Sequence, residues 1–281
     1  MSNFIFLNNK IIEEREGLLS AQDRGFLYGD GLFETLRTYG KTPFRLEDHV
    51  ARLSNSARYF GIPFCYKPHQ IQQIIEQLIS KNNLEDAYIR MTLSRGAGVN
   101  GLIPRGECTP TFVVHAKPLV SYPALLYETG ACLVTSPIRR SVTCPVSRHK
   151  TLNFLTNYLI KKEAAERGAF DALVLNTDNH VAECAVSNIF IVGKGIVITP
   201  ALKANVLPGI TRKVILELCK ENDMPVREEF FGIDRVFGAD EVFMTNSLME
   251  IMPVSRIDEH VTSVGAITRL LHEKYRALTA F

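Results

Sequence analysis

Strand-like and helix-like segments alternate through both halves of this 281-residue chain, and that interleaving most constrains its fold. Phe4-Ile5-Phe6-Leu7 ahead of Asn8-Asn9 reads as a strand and a tight turn. Residues 32–39 mix apolar and polar side chains, meet Gly40-Lys41 and resume at Pro43, a hairpin pattern. Two helices follow. Residues 47–60 place Val50, Leu53, Ala57 and Phe60 near helical spacing, with Gly61 as a C-cap. Residues 68–79 put Ile71, Ile74, Ile75, Leu78 and Ile79 on one face. Strands are expected at 87–93 and 111–116, around the glycine-rich loop Arg95-Gly96-Ala97-Gly98-Val99-Asn100-Gly101. Lys117-Pro118 to Tyr122-Pro123, bracketed by prolines, reads as a linker. Beyond it, strands are expected at 132–136, 172–175, 189–192, 195–199 and 241–245, and helices at 151–167, 211–221 and 263–278. The pattern predicts an α/β protein with α+β mixed sheets: an N-terminal domain 1–117, a linker 118–123 and a C-terminal domain 124–281.

Composition narrows the classes. With 46% hydrophobic and 22% charged residues the chain has the make-up of a soluble globular protein. A formal charge of +2 does not by itself point to a nucleic-acid partner. No apolar run is long enough to span a bilayer, and the first ten residues lack the basic and apolar regions of a secretory signal. Cys65, Cys108, Cys132, Cys144, Cys184 and Cys219 are widely spaced without a C-x-x-C pair, against a zinc site or a disulfide framework. A reduced, cytoplasmic setting is expected, with the cysteines serving as small hydrophobes.

Three features in order suggest pyridoxal 5′-phosphate chemistry. Lys150, in Arg148-His149-Lys150-Thr151-Leu152-Asn153, is placed to form a Schiff base. Glu183, ahead of an apolar strand, would hold a ring nitrogen protonated and so strengthen an electron sink. Gly209-Ile210-Thr211 opens a helix whose free N–H groups and dipole favour a phosphate. Arg52 and Ser247 would reach a phosphate by charge and by hydroxyl. Taken singly each has a blander reading: a surface lysine, a loop glutamate, a plain N-cap threonine, a surface arginine and a loop serine. Their combination is what counts.

Six pieces in order resemble the class IV aminotransferase family, the fold-type IV pyridoxal phosphate enzymes. They are Tyr28-Gly29-Asp30-Gly31-Leu32-Phe33-Glu34, His49-Val50-Ala51-Arg52-Leu53, Lys150-Thr151-Leu152-Asn153, Glu183 with Ser187-Asn188, Leu207-Pro208-Gly209-Ile210-Thr211-Arg212, and Glu250-Ile251-Met252-Pro253-Val254. The family includes branched-chain amino acid aminotransferases, D-amino acid aminotransferases and aminodeoxychorismate lyases. The resemblance implies two domains with the cofactor between them, and a homodimer. It implies that Lys150 bonds the cofactor and shuttles the substrate Cα proton, and that Glu183 pairs with the pyridine nitrogen. Arg52, Ile210, Thr211 and Ser247 would bind the phosphate. Tyr28, Glu34, Arg90 and Arg95 would line the substrate pocket.

The reaction is drawn in two directions. Glu34 and Ala87-Tyr88-Ile89-Arg90 resemble branched-chain aminotransferases, with Arg90 as a carboxylate fork and Phe33 and Leu32 as apolar walls. Thr35 stands where those enzymes usually have glycine, Phe154 where they have tyrosine, and Asn246-Ser247-Leu248-Met249 where they have Gly-Thr-Ala-Ala. Thr35, Ser94-Arg95-Gly96 and Asn246-Ser247 are closer to aminodeoxychorismate lyases, in which a hydroxyl at Thr35 would assist elimination. A strand threonine is equally expected from its β-branching alone. The expected activity is transfer of the amino group of a branched-chain-like α-amino acid to a 2-oxo acid such as 2-oxoglutarate. Aminodeoxychorismate lyase and D-amino acid aminotransferase stand as alternatives. A non-catalytic binding protein of the same fold would have lost Lys150 or Glu183, and both are present.

Overall fold

The computed structural model describes residues 3–98, 101–104, 106 and 108–280; Val99 and Asn100 of the glycine-rich loop lie outside the described residues. The elements run β1 (Phe4–Leu7), β2 (Lys10–Glu13), α1 (Arg24–Tyr28), β3 (Gly31–Tyr39), β4 (Thr42–Pro43), α2 (Leu46–Phe60), α3 (Pro68–Lys81), β5 (Ala87–Ala97), β6 (Thr109–Pro118), α4 (Ala124–Thr129), β7 (Ala131–Thr135) and α5 (Leu155–Glu166). They continue with β8 (Asp171–Leu175), β9 (Val181–Cys184), β10 (Asn188–Gly193), β11 (Ile196–Pro200), α6 (Ile210–Glu221), β12 (Val226–Glu229), α7 (Ile233–Phe237), β13 (Glu241–Asn246), β14 (Glu250–Ile257), β15 (His260–Val261) and α8 (Ala266–Ala277). The mixed α/β class expected from the sequence is what these elements form. Two compact units result: residues up to Val120 with His149–Asn153, and Ser121–Arg148 with Phe154–Ala280. The chain therefore does not divide at a single point.

In the first unit, described residues form a six-stranded antiparallel sheet in the order β2-β1-β6-β5-β3-β4. Alternation decides its two faces. Leu32 and Leu36 of β3, Ile89, Met91 and Leu93 of β5 and Phe112 and Val114 of β6 join the apolar stripes of α2 and α3 in one core. Ile71, Ile75 and Leu78 are fully buried there, each worth about 1.5–3 kcal/mol. Helix α3 starts cleanly because Pro68 sits in its first turn and Gln70 accepts the Lys67 N–H at 2.8 Å.

The second unit holds the nine-stranded sheet β12-β11-β10-β13-β14-β7-β8-β9, with β15 paired to β14. The β14–β7, β7–β8 and β11–β12 pairs are parallel and the others antiparallel. Strands β8 and β9 and most of β10 and β13 are buried along their whole length, so they read as apolar runs rather than alternating patterns.

The helix expected at 151–167 begins only at Leu155. Residues 150–152 instead pair with β3: Phe33 N–H donates to Lys150 O at 2.8 Å, Leu152 N–H to Gly31 O at 2.9 Å, and Leu32 bridges Thr151. Glu183, expected ahead of the strand at 189–192, lies in a strand of its own, β9. The strand expected at 87–93 runs on to Ala97.

Candidate active site

Lys150 is held by its neighbours on both sides. His149 Nδ1 lies 2.9 Å from Ser56 Oγ, and its ring stacks on Tyr59 at 4.6 Å between centroids. Leu152 fills a slot beside Gly31, where a Cβ would come within 2.6 Å of Leu152 Cδ1, so only glycine admits it. Asn153 Nδ2 donates to Gly29 O at 3.0 Å. With the backbone fixed, the Lys150 amine stands 4.4 Å from the Phe33 ring centroid, and the Arg90 guanidinium stands 4.0 Å from the same centroid. Thr35 sits directly opposite Arg90 in the β3–β5 register, so Phe33, Thr35 and Arg90 share one face of the sheet.

Glu34 and Leu32 do not share that face. Alternation turns them toward α2 and the helix-side core, away from Thr35 and Arg90. Glu34, expected in the substrate pocket, and Leu32, expected as an apolar wall, thus stand on the opposite sheet face from Thr35 and Arg90. Glu34 is 1% exposed and meets two α2 residues. Its Oε2 is 2.7 Å from His49 Nδ1, and Arg52 donates Nε to Oε1 and Nη2 to Oε2, both at 2.7 Å. Burial pushes the Glu34 carboxyl up, but the charge and hydrogen bonds of Arg52 and the His49 bond overcome it and bring it down to about 2. Burial pushes the His49 imidazole below its ordinary range, against the pull of Glu34. His49 was readable: it stands three residues before Arg52 on one helix, the spacing of side chains on a shared face.

Arg95 and Tyr28 serve α1 and its surroundings. Arg95 donates Nε and Nη2 to Asp30 at 2.7 and 3.1 Å and reaches the carbonyls of Phe60 and Gly61. Arg24 shares Asp30 and reaches the carbonyls of Gly101 and Leu102. Arg95 therefore ties Asp30 to the end of α2, and it is Arg24 that braces the loop. Tyr28 ends α1, 44% exposed, with the Arg24 guanidinium 4.9 Å from its ring centroid.

The second unit brings Glu183 together with the 207–211 turn. Glu183 is 5% exposed; its Oε2 accepts from Asn188 Nδ2 at 3.2 Å and from Leu207 N–H at 3.1 Å, and its Oε1 lies 3.0 Å from Arg140 Nη2. Asn188 also donates to Leu207 O at 3.0 Å, tying β10 to the turn. Helix α6 starts at Ile210, with Gly209, which has no side chain to cap the helix, at the N-cap. Thr211 is thus inside the first turn, not the cap. At Gly209 a Cβ would fall 1.9 Å from Asn188 Oδ1, so the close approach demands glycine. Ser247 follows β13 by one residue, in a turn closed by Asn246 Oδ1, which accepts from Leu248 and Met249 N–H at 2.9 Å each. Thr245 pairs with Asn188 in the β10–β13 register, which puts that turn at the same sheet end as Asn188. Arg140 carried no sequence signal, being one of two arginines in an irregular stretch.

The model of the family amino-transferase class IV matches residues 31–257. The chain belongs to the class IV aminotransferase family. A Methanocaldococcus jannaschii protein named provisionally as a branched-chain-amino-acid aminotransferase is 38% identical over 97% of this chain and 95% of its own length. The D-alanine aminotransferase of Bacillus licheniformis is 30% identical, covering 93% and 91%. The aminodeoxychorismate lyase of Bacillus subtilis is 31% identical, covering 97% and 93%. The branched-chain amino acid aminotransferase of Escherichia coli superposes with a TM-score of 0.93 at 29% identity, covering 99% and 95%. A T.th. branched-chain amino acid aminotransferase, solved with pyridoxamine 5′-phosphate, gives 0.91 at 29% identity, covering 99% and 94%.

This class IV aminotransferase is a pyridoxal 5′-phosphate enzyme. Each unit by itself carries groups of the kind that cofactor needs: an amine on Lys150 in the first, and in the second a buried carboxylate on Glu183 and a helix start beside a closely packed glycine. Among the described residues no helix is long and apolar enough to cross a membrane.

Proposed function

We propose that this class IV aminotransferase moves the amino group of a branched-chain-like α-amino acid to a 2-oxo acid such as 2-oxoglutarate. The observation that carries this is the Phe33 ring, flanked by the Lys150 amine at 4.4 Å and the Arg90 guanidinium at 4.0 Å. An amine for proton transfer, a planar fork for a carboxylate and an apolar wall for a side chain stand on one sheet face. The 38% identity to the M. jannaschii protein supports the same reading.

Bound pyridoxal phosphate supplies an electron sink for the charge left at the substrate Cα. Lys150 would hold the cofactor through its amine and serve as the base for the Cα proton, its backbone tied to β3. Arg90 orients the substrate carboxylate. Glu183 would pair with the ring nitrogen. The first-turn N–H groups of Ile210 and Thr211 would hold the phosphate, where the helix dipole favours an anion, and Arg52 and Ser247 would offer charge and a hydroxyl. In this reading the protein works as a cytoplasmic homodimer.

The test is a pair of assays on the cofactor-loaded protein. We expect 2-oxoglutarate-dependent consumption of apolar L-amino acids, and borohydride should fix the pyridoxyl group to the Lys150 peptide. Protein that takes up no cofactor at saturation would end the reading. One observation favours a second reading, aminodeoxychorismate lyase: the half-buried Thr35 hydroxyl faces the same side as Arg90. Release of pyruvate and 4-aminobenzoate from aminodeoxychorismate, with no amino donor consumed, would decide for it. Turnover of D- but not L-amino acids would decide for a D-amino acid aminotransferase.

A further inference from the structure

We propose that Arg140 is a positioning residue that weakens Glu183 as a base and so sets how far the cofactor's ring nitrogen is protonated. The inference rests on the reading above that Glu183 faces that nitrogen.

Arg140 is anchored before its side chain begins. Its N–H donates to Leu175 O at 3.0 Å, its carbonyl accepts from Thr177 N–H at 2.9 Å, and it bridges Asn176 in parallel. Its side chain is 13% exposed and that of Glu183 is 7%, with Nη2 and Oε1 3.0 Å apart. The arginine Nε is buried with no hydrogen-bond partner, so the guanidinium is turned to the carboxylate at the cost of one unsatisfied donor. The other oxygen, Oε2, accepts from Asn188 and Leu207. Lys161 and Asp171, whose charges act on the neighbouring Cys184, lie 3.5 Å from each other.

A carboxylate beside a pyridine nitrogen draws a proton onto it in proportion to its own basicity. A permanently charged arginine on the same carboxylate lowers that basicity. Glu183 with Arg140 therefore holds the ring nitrogen less fully protonated than an unpaired glutamate would. The strength of the electron sink is set by this pair, not by Glu183 alone.

The experiment reads the nitrogen directly. The enzyme is loaded with pyridoxal 5′-phosphate carrying 15N in the ring, and the 15N resonance is recorded at fixed pH for wild type, Arg140→Gln, Arg140→Lys and Glu183→Gln. We expect Arg140→Gln to shift the resonance toward the protonated position and Arg140→Lys to shift it less in the same direction. Glu183→Gln should shift it the opposite way. A resonance unmoved in Arg140→Gln but moved in Glu183→Gln overturns the proposal and leaves the reading of Glu183 intact. A resonance unmoved in Glu183→Gln overturns that reading instead. If Arg140→Gln does not fold, an unmoved resonance in Arg140→Lys overturns the proposal, because an ammonium cannot reproduce the guanidinium contact.

Discussion

Arg52 grips Glu34 with two parallel hydrogen bonds, Nε to Oε1 and Nη2 to Oε2, each 2.7 Å long. Glu34 is buried, the Arg52 side chain is 11% exposed, and His49 closes the third side of the carboxylate. The folded carboxyl is held at about 2 against an ordinary value of 4.5. A depressed carboxylate stabilises the fold fully above its unfolded value, and that stability is lost as pH falls through the folded value. Between pH 4.5 and about 2 the protein should lose about 3 kcal/mol on this account. The neutral His49 acts in the same direction, with losses beginning below its ordinary 6.5. Denaturant melts of Glu34→Gln should show a loss of about 3 kcal/mol at pH 7, as expected for breaking a buried pair. A variant within about 0.5 kcal/mol of wild type would refute the assignment.

Gly209→Ala should weaken cofactor binding without unfolding the protein. The added Cβ would meet Asn188 Oδ1 at 1.9 Å, and Asn188 ties Glu183 to the 207–211 turn. Something must shift at the helix start. A displaced turn costs about 1.4 kcal/mol or more, a tenfold or greater rise in the dissociation constant for pyridoxal 5′-phosphate. Titration of apo-protein by absorbance reads this. Unchanged affinity would detach the turn from the phosphate.

These two sites were unequally legible in the sequence. Glycine before a helix is a local signal, and Gly209 announced α6 to within one residue. The opposite orientations of Glu34 and Thr35 follow from strand periodicity alone, because neighbours in a strand cannot share a face. The start of α5 was not readable: residues 150–152 are claimed by β3, more than a hundred residues earlier, and no local window carries that pairing. Strand β9 escaped because four wholly buried residues show no alternation. Arg140 escaped because nothing in its sequence surroundings points to Glu183.

Asp171 should work against stability at neutral pH. Burial raises its carboxyl above the ordinary 3.8, only partly countered by Lys161 and by the N–H groups of Ala172 and Ala185. A raised folded value means stability present below 3.8 and lost as pH rises through the folded value. Asp171→Asn removes that slope, so the variant should gain on wild type as pH rises from about 4 to 7. Urea melts at the two ends of that window check it. An equal difference at both ends would contradict the assignment.

The cysteines should divide by burial. Burial raises the Cys184 thiol well above its ordinary value and the Cys219 thiol to about 11, whereas Cys65 is exposed. The thiolate is the reactive form. Iodoacetamide on the native protein, mapped by mass spectrometry, should modify Cys65 and spare Cys184 and Cys219 until denaturant is added. Early loss of Cys184 would mean that β9 opens readily.

Thr35→Gly separates the two reactions. Thr35 faces Arg90 across the β3–β5 pair, and its hydroxyl is half-buried on the face that carries Phe33. In an aminotransferase Lys150 alone handles the Cα proton, and removing the threonine hydroxyl should change amino-transfer kcat by less than about tenfold, well short of the loss of a general acid–base group. In a lyase the hydroxyl would assist departure of the leaving group, and its loss should cost about 10²–10⁴ in pyruvate release. The measurement is kcat for both reactions on wild type and variant, with the pH profile recorded alongside. A large loss in amino transfer itself would make Thr35 part of the transamination machinery and remove the basis for reading it as a lyase feature.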